Sequence, residues 1–282
     1  MNIKEIAIKT LLASTLSFSL HAQTKDITSN VVDRFADVQV LRYDIEGFDK
    51  LSLSQKKLVY YLSQAGLSGR DIIYDQNNAF NLEIRSCLDK IVKDFKGNRE
   101  GEEWTNFLLY AKRVWFSNGI HHHYGMDKIE PTFSKEYFAI LRKESGAILS
   151  KEATAVIFDN SIDAKRKVKD AARDMVVASA NNFYGDGVTQ EMAEKFYASK
   201  TIKNNETPIE LGLNSTLILK DGQLVEDTWK SGGRYGKAID QIIYWLKLAS
   251  TVAENETQKS AILKLIEFYQ TGDLKVWDEY AI

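Results

Sequence analysis

The chain has 282 residues, of which 44% are hydrophobic and 27% are charged, and its formal net charge is −2. This is an ordinary globular balance, and a chain of this length buries most of its apolar surface without needing a disulfide or a metal in order to fold. The mildly acidic charge, with no block of lysine and arginine, argues against a nucleic-acid partner. Only two prolines occur, which favours long uninterrupted helices.

The first 22 residues have the features of a secretory signal peptide. Lys4 and Lys9 precede a short apolar run at residues 10–20, and Ala22 is a suitable cleavage residue. The run is too short to cross a bilayer, so we expect no membrane insertion. The alternative is an amphipathic first helix, but residues 23–29 are polar, like the start of a mature chain. We therefore predict a signal peptide at residues 1–22, one domain at residues 23–282, and export to the periplasm.

The first half of the predicted domain is mainly helical, because its apolar residues recur at helical spacing. Trp104 begins the apolar face of one such helix, which also contains Leu108, Ala111 and Trp115. Ser134 has the position of an N-cap. The predicted elements of this half are a strand at 37–43, a helix capped by Ser54, and helices at 81–95, 102–115, 135–142 and 151–158.

The second half combines helices with one clear β signal. Asp221 and Gly222 separate two short apolar runs, which predicts a hairpin over residues 215–226. The other predicted elements are a helix at 163–180, a turn-rich connector at 181–187, and helices at 190–199 (capped by Thr189), 237–252 and 256–270. The pattern as a whole predicts an α+β fold that is predominantly helical, with a small antiparallel sheet.

Three of the four histidines lie together in the segment 115–125. Histidine is the commonest metal ligand, but three consecutive histidines cannot all point at one ion, and a helical zinc site requires the spacing His-x-x-x-His. We therefore predict a loop whose imidazoles hydrogen-bond to the backbone or line a substrate cleft, and a metal site formed by the histidines is the alternative. The candidate cleft residues are Asn118, His121, His122, His123 and Tyr124.

A glycine-rich segment at residues 231–237 precedes a predicted helix, where backbone N–H groups could hold an anion. The spacing of a P-loop is absent, and no buried strand precedes the segment. We therefore predict a tight turn with close backbone packing.

No catalytic residue can be named from the sequence. Cys87 is the only cysteine, and the helical spacing of its apolar neighbours predicts a buried, inert thiol. Neither His-Glu-x-x-His nor Gly-x-Ser-x-Gly occurs in the chain. A histidine-dependent nucleophile would have to use the histidine triplet.

Several segments, taken together, resemble bacterial dipeptidyl peptidase III. The most specific is Arg-Val-Trp-Phe-Ser-Asn-Gly-Ile-His-His-His-Tyr-Gly, at residues 113–125. The glycine-rich segment at 231–236 and the two helices predicted after it also resemble that family. The remaining matching segments lie at residues 35–43, 57–63 and 69–72.

The resemblance implies a two-lobed zinc exopeptidase that releases dipeptides from peptide N-termini, with the substrate between its lobes. The family takes its zinc ligands from a His-Glu-x-x-Gly-His motif and a downstream glutamate, which the 282 residues do not contain. The resemblance thus implies the N-terminal lobe of a longer chain, truncated before the zinc motif, with no cofactor expected for this part alone. Its expected partners are peptides and the missing C-terminal lobe. The alternatives are a non-catalytic peptide-binding protein and a metal-binding protein that uses the triplet.

Overall fold

The computed structural model describes residues 30–201 and 209–281, so the predicted signal peptide lies outside the described residues. The chain divides into two compact units, Met1–Asp44 and Ile45–Ile282. The described part of the first unit is a hairpin in which β1 (Val31–Phe35) pairs antiparallel with β2 (Val38–Leu41). The strand predicted at 37–43 is therefore the second arm of a hairpin.

The described part of the second unit is mostly helical and contains one further hairpin. Its strands are β3 (Ser215–Lys220) and β4 (Gln223–Thr228), which turn at Asp221 and Gly222 as predicted. The predicted class, helix-dominated α+β with little antiparallel sheet, is confirmed. The helices are α1 (Leu53–Ser68), α2 (Arg70–Asn77), α3 (Asn81–Asp94), α4 (Glu102–Ser117), α5 (Lys135–Ser145), α6 (Lys151–Phe158), α7 (Met175–Ala178), α8 (Gln190–Lys200), α9 (Gly236–Ser250), α10 (Glu256–Thr271) and α11 (Leu274–Ala281).

Local capping chemistry sets the helix starts. The hydroxyls of Ser134 and Thr189 accept hydrogen bonds from the N–H groups of the first turns of α5 and α8, as predicted. Helix α1 begins two residues earlier than predicted because Ser52, and not Ser54, is its N-cap. Ser52 and Gln55 form a reciprocal capping box that satisfies two backbone donors.

The helix predicted at 163–180 is wrong. Only Met175–Ala178 is helical there. Residues 164–166 instead pair with the backbone of residues 126–128. Lys165 forms a bridge with Asp127, and Ala180 N–H donates to Lys165 O. Asp174 instead accepts from the N–H groups at the start of α7, which shows how aspartate side chains compete with helical hydrogen bonding.

The largest apolar core lies among α3, α4, α5 and α6. The buried face of α4 is rotated from the predicted one: Phe107, Tyr110 and Val114 are buried beside Trp104, whereas Leu108 and Trp115 are only half-buried. A second core joins α1, α9 and α10, and a third joins β3 to α8. Within the described ranges, no helix has both the length and the apolarity needed to cross a membrane.

Candidate functional site

The segment that carries the histidines begins where α4 ends. Asn118 adopts a left-handed conformation (φ 52°, ψ 45°) and closes the helix. Gly119 follows with φ 140°, and its N–H donates to Val114 O at 3.0 Å. These two residues turn the chain away from the helix axis, as left-handed residues do at helix C-termini.

Asparagines at the junction of α2 and α3 fix the backbone of this segment. Asn77 Nδ2 donates to Asn118 O at 2.9 Å, and Asn81 Oδ1 accepts from Ile120 N–H at 3.0 Å. Asn81 is fully buried, and its Nδ2 donates to Tyr74 O at 3.0 Å. Both the oxygen and the nitrogen of the Asn81 amide therefore have hydrogen-bond partners, and this network fixes the position of Ile120.

Beyond Ile120 the chain forms a tight loop. His121 pairs with Lys128 in an antiparallel bridge, and the N–H of His122 donates to Asp127 O at 2.8 Å. Arg166 supports the loop from outside, because its guanidinium donates to His123 O and its backbone N–H donates to Met126 O. The histidine segment is therefore a loop, as predicted, and these hydrogen bonds hold its backbone in place.

His121 is the buried member of the triplet, with 1% of its surface exposed. Its Nε2 lies 2.7 Å from the backbone oxygen of Asp163, so Nε2 carries the proton and Nδ1 does not. Nδ1 is buried and has no hydrogen-bond partner among the described residues. Burial lowers the pKa of His121, against smaller opposing effects of its hydrogen bond to the Asp163 backbone and of the Asp163 charge.

The other two histidines belong to an aromatic cluster on the surface. His122 Nδ1 accepts from the N–H groups of Gly125 at 2.9 Å and Tyr124 at 3.2 Å. The His123 ring stacks on His122 with centroids 4.5 Å apart, and its centroid lies 4.9 Å from that of Phe116 and 4.7 Å from that of Tyr124. Tyr124 is 82% exposed, so the cluster presents a flat aromatic ring to solvent.

Two of the three imidazoles have one ring nitrogen occupied by backbone groups. His121 Nε2 faces a carbonyl oxygen, and His122 Nδ1 already accepts two backbone hydrogen bonds. Over residues 30–201 and 209–281, no three or more His, Cys, Asp or Glu side chains are grouped so that they could hold a metal ion. In the structure, His121 and His122 thus take part in backbone hydrogen bonds, and His122 and His123 stack on each other.

Lys128 joins the far end of the loop to helix α6. Its ammonium donates to the backbone oxygens of Val156 at 3.0 Å, Ile162 at 2.6 Å and Asp159 at 2.5 Å. All three donors of the ammonium are used, and they satisfy carbonyl groups at and beyond the C-terminal end of α6. Burial lowers the pKa of Lys128.

The glycine-rich segment forms a tight turn, as predicted. A Cβ atom on Gly233 would lie 2.6 Å from Thr228 O, so the backbone approach requires glycine. Asp75 Oδ2 accepts from Arg234 at 3.0 Å and from Tyr235 Oη at 2.5 Å, and Asn182 Nδ2 donates to it at 3.1 Å. This carboxylate therefore connects α2 to two loops, and nothing in these contacts indicates an anion site.

Cys87 is buried, as predicted, with 2% of its surface exposed. Burial raises the pKa of its thiol to about 11. A thiol with this pKa is almost entirely protonated at neutral pH, which makes it a poor nucleophile.

Sequence reasoning did not identify the residues that hold the loop. Asn77, Asn78 and Asn81 contribute most of the contacts from the α2–α3 junction, and Asn78 Nδ2 donates to Asp163 Oδ2 at 2.7 Å. The available signal was the group of three asparagines at and just before the start of the helix predicted at 81–95. Arg166 offered no signal, because it lay in a stretch predicted to be helical.

No model of a known protein family matches the sequence. The solved structures that are similar to this chain include two of dipeptidyl peptidase III. The dipeptidyl-peptidase III structure from Corallococcus sp. strain EGB is 13% identical, with a TM-score of 0.52, over 90% of this chain and 36% of that chain. The DPP III structure from Caldithrix abyssi is 18% identical, with a TM-score of 0.49, over 82% of this chain and 33% of that chain. The chain thus spans about a third of their length, and it shares the fold of part of the Corallococcus protein.

Proposed function

We propose that the chain is the N-terminal, peptide-contacting portion of a zinc-dependent dipeptidyl peptidase of the dipeptidyl peptidase III type. The observation that carries the proposal is the fold likeness to part of the Corallococcus dipeptidyl-peptidase III over 90% of this chain. The resemblance of residues 113–125 and 231–236 to that family supports it independently. In this proposal the complete protein releases dipeptides from peptide N-termini.

The aromatic loop is the part of the chain that we assign to peptide contact. Phe116 is 43% exposed and Tyr124 is 82% exposed, and the ring of His123 lies between them. The backbone beneath is fixed by Asn77 and Asn81. Exposed aromatic rings on a fixed backbone lose little conformational entropy on binding, which suits recognition of a peptide. Asn118 and His121 would then shape the loop from beneath without contacting the peptide.

On its own, this chain is inactive in our proposal. The His-Glu-x-x-Gly-His motif that supplies the zinc ligands and catalytic glutamate of the family does not occur among the 282 residues. The imidazoles of His121 and His122 are engaged with backbone groups. Zinc-assisted attack of water on the scissile carbonyl therefore requires residues beyond those of this sequence.

The test is to purify the chain and to measure its zinc content together with its hydrolysis of a dipeptidyl-arylamide. We expect neither retained zinc nor hydrolysis, including after zinc addition. Retained stoichiometric zinc with turnover, both lost in a variant with His121, His122 and His123 changed to Ala, would contradict the proposal and establish the triplet as a metal site.

A non-catalytic peptide-binding protein of the same fold is the second candidate, favoured by the exposed ring of Tyr124, which packs against His123. Calorimetric titration of the chain with tetrapeptides tests it. Tyr124→Ala should weaken binding, whereas Tyr43→Ala, at a residue that is 73% exposed in the other unit, should not. Equal affinity in the two variants would place peptide binding elsewhere.

Export to the periplasm remains a prediction that cell fractionation tests.

A further inference from the structure

The second unit contains an aromatic cavity that the proposed function does not use. Its volume is about 360 Å³, and it lies among α2, α9, α10, α11 and the loops that flank the β3–β4 hairpin. Ligand sites typically have volumes of about 300–1,000 Å³, so this cavity has room for one or two rings and little more.

Four aromatic side chains form much of its wall. The Phe268 ring centroid lies 5.1 Å from that of Trp277 and 5.4 Å from that of Tyr269. Trp229 stands on the β4 side, and its Nε1 donates to Thr216 Oγ1, which fixes the indole plane. Offset and tilted contacts of this kind are the geometry in which aromatic rings attract one another, so a further ring would gain edge and face contacts.

The polar groups of the cavity are few and uncharged. Among the described residues, its lining contains no acidic, basic or histidine side chain. Asn214 Nδ2 is occupied by Gly272 O, which leaves its Oδ1 as an acceptor. Gln76 and Tyr269 also line the cavity, and apart from the hydrogen bonds within their helices only their backbone oxygens make hydrogen bonds within the described residues. A charged ligand would find no counter-ion here, whereas a neutral one with a donor or acceptor would find partners.

We propose that this cavity is a binding site for an uncharged aromatic group that carries a neighbouring hydrogen-bonding group. The group can belong to a free small molecule or to the side chain of a peptide. The aromatic walls hold the ring, and Gln76, Asn214 and Tyr269 orient the polar end. The site is independent of zinc and of the histidine loop.

The test uses the full chain labelled with 5-fluorotryptophan and fluorine NMR. The chain has five tryptophans, of which Trp229 and Trp277 line the cavity and Trp104, Trp115 and Trp245 do not. Each resonance is assigned from a Trp→Phe variant. The probes are p-cresol, N-acetyl-phenylalaninamide and the charged N-acetyl-lysinamide. The first two should shift the Trp229 and Trp277 resonances at saturation, and the third should not.

The two neutral probes distinguish the sources of the ligand. If N-acetyl-phenylalaninamide binds about tenfold more tightly than p-cresol, its amides contribute and the natural occupant is a peptide side chain. If p-cresol binds as tightly or more tightly, the occupant is a free aromatic molecule. Absence of any shift, or equal shifts of all five resonances, would overturn the proposal.

A matched pair of variants locates the binding. Ile73 lines the cavity and is 47% exposed, while Leu263 does not line it and is also 47% exposed. Ile73→Lys places an ammonium at the mouth of the cavity and should weaken binding of both neutral probes about tenfold or more. Leu263→Lys should leave their affinity unchanged. Equal affinities in the two variants, each with an unchanged melting temperature, would contradict the assignment.

Discussion

Gly119 and Asn81 lie so close together that a Cβ atom on Gly119 would stand 2.1 Å from Asn81 Nδ2. The glycine also has φ 140°, a conformation that L side chains rarely adopt. The Asn81 amide has no freedom to withdraw, because it accepts from Ile120 and donates to Tyr74. The histidine loop thus depends on a contact that admits only glycine.

Gly119→Ala should therefore destabilise the protein by roughly 2–4 kcal/mol, as the sum of backbone strain and a broken buried hydrogen bond. Chemical denaturation measures the loss. Gly222→Ala is the matched control, since Gly222 has φ 78° but no neighbouring atom within 4 Å. Gly222→Ala should destabilise the protein by only about 1–2 kcal/mol, because it introduces backbone strain alone. Equal losses at the two positions would show that the Asn81 contact is unimportant.

Because His121 is buried, we expect the stability of the folded protein to depend on pH. The pKa of His121 is lowered in the folded state, chiefly by burial, with Lys128 and Arg166 acting in the same direction and Asp163 opposing them. As the pH falls below about 6.5, the unfolded chain takes up this proton before the folded chain does. Stability that is present above that pH is then lost progressively down to the folded-state pKa.

The measurement is the urea midpoint at a series of values from about pH 8 to pH 5. The His121→Gln variant keeps a donor for Asp163 O but does not titrate, so its stability should fall less over this range. His123→Gln should retain the part of the pH dependence that is due to His121. An identical fall in wild type and His121→Gln would refute a titration of His121 coupled to folding.

Loss of the hydroxyl should have opposite effects on stability at two equally buried tyrosines. Tyr74 and Tyr110 are each 3% exposed. Tyr74 Oη donates to Trp115 O at 3.2 Å, whereas Tyr110 Oη has no partner among the described residues. Tyr74→Phe should destabilise the protein by about 1 kcal/mol because the Trp115 oxygen loses a donor.

Tyr110→Phe should instead leave stability within about 0.5 kcal/mol of wild type or raise it, since it removes a desolvated hydroxyl. Parallel thermal melts of the two variants measure the difference. If Tyr110→Phe proves as destabilising as Tyr74→Phe, its hydroxyl has a partner and the α4–α5 core is packed differently.

The elements that sequence could predict are those with a local physical signal. The Asp221–Gly222 turn and the Ser134 and Thr189 caps each act within a few residues, and each was predicted. The stretch 163–180 failed because its backbone pairs with residues 126–128, far away in sequence. Helical propensity cannot reveal such a competing partner.

The sequence could predict which residues make up the candidate site, but not which residues hold its loop in place. The histidine triplet and Tyr124 are visible in the sequence, and backbone hydrogen bonding by the imidazoles was one of the two predicted roles. Asn81 and Arg166 could not be placed, because their partners depend on how α3 and the 163–166 segment pack against the loop. The rotated face of α4 has the same origin: helical periodicity predicts that a face is buried, while neighbouring helices decide which residues are most covered.

Cys87 gives a direct test of the α3–α5 core. Because its thiol is buried and its pKa is raised to about 11, a disulfide reagent such as DTNB should not label the native protein near pH 8. Labelling should follow unfolding and accelerate with denaturant. The Ser86→Cys variant is the matched control, because residue 86 is exposed on the same helix. Its added thiol should react within minutes while Cys87 stays protected, and rapid labelling of both thiols would mean that α3 does not pack as the structure shows.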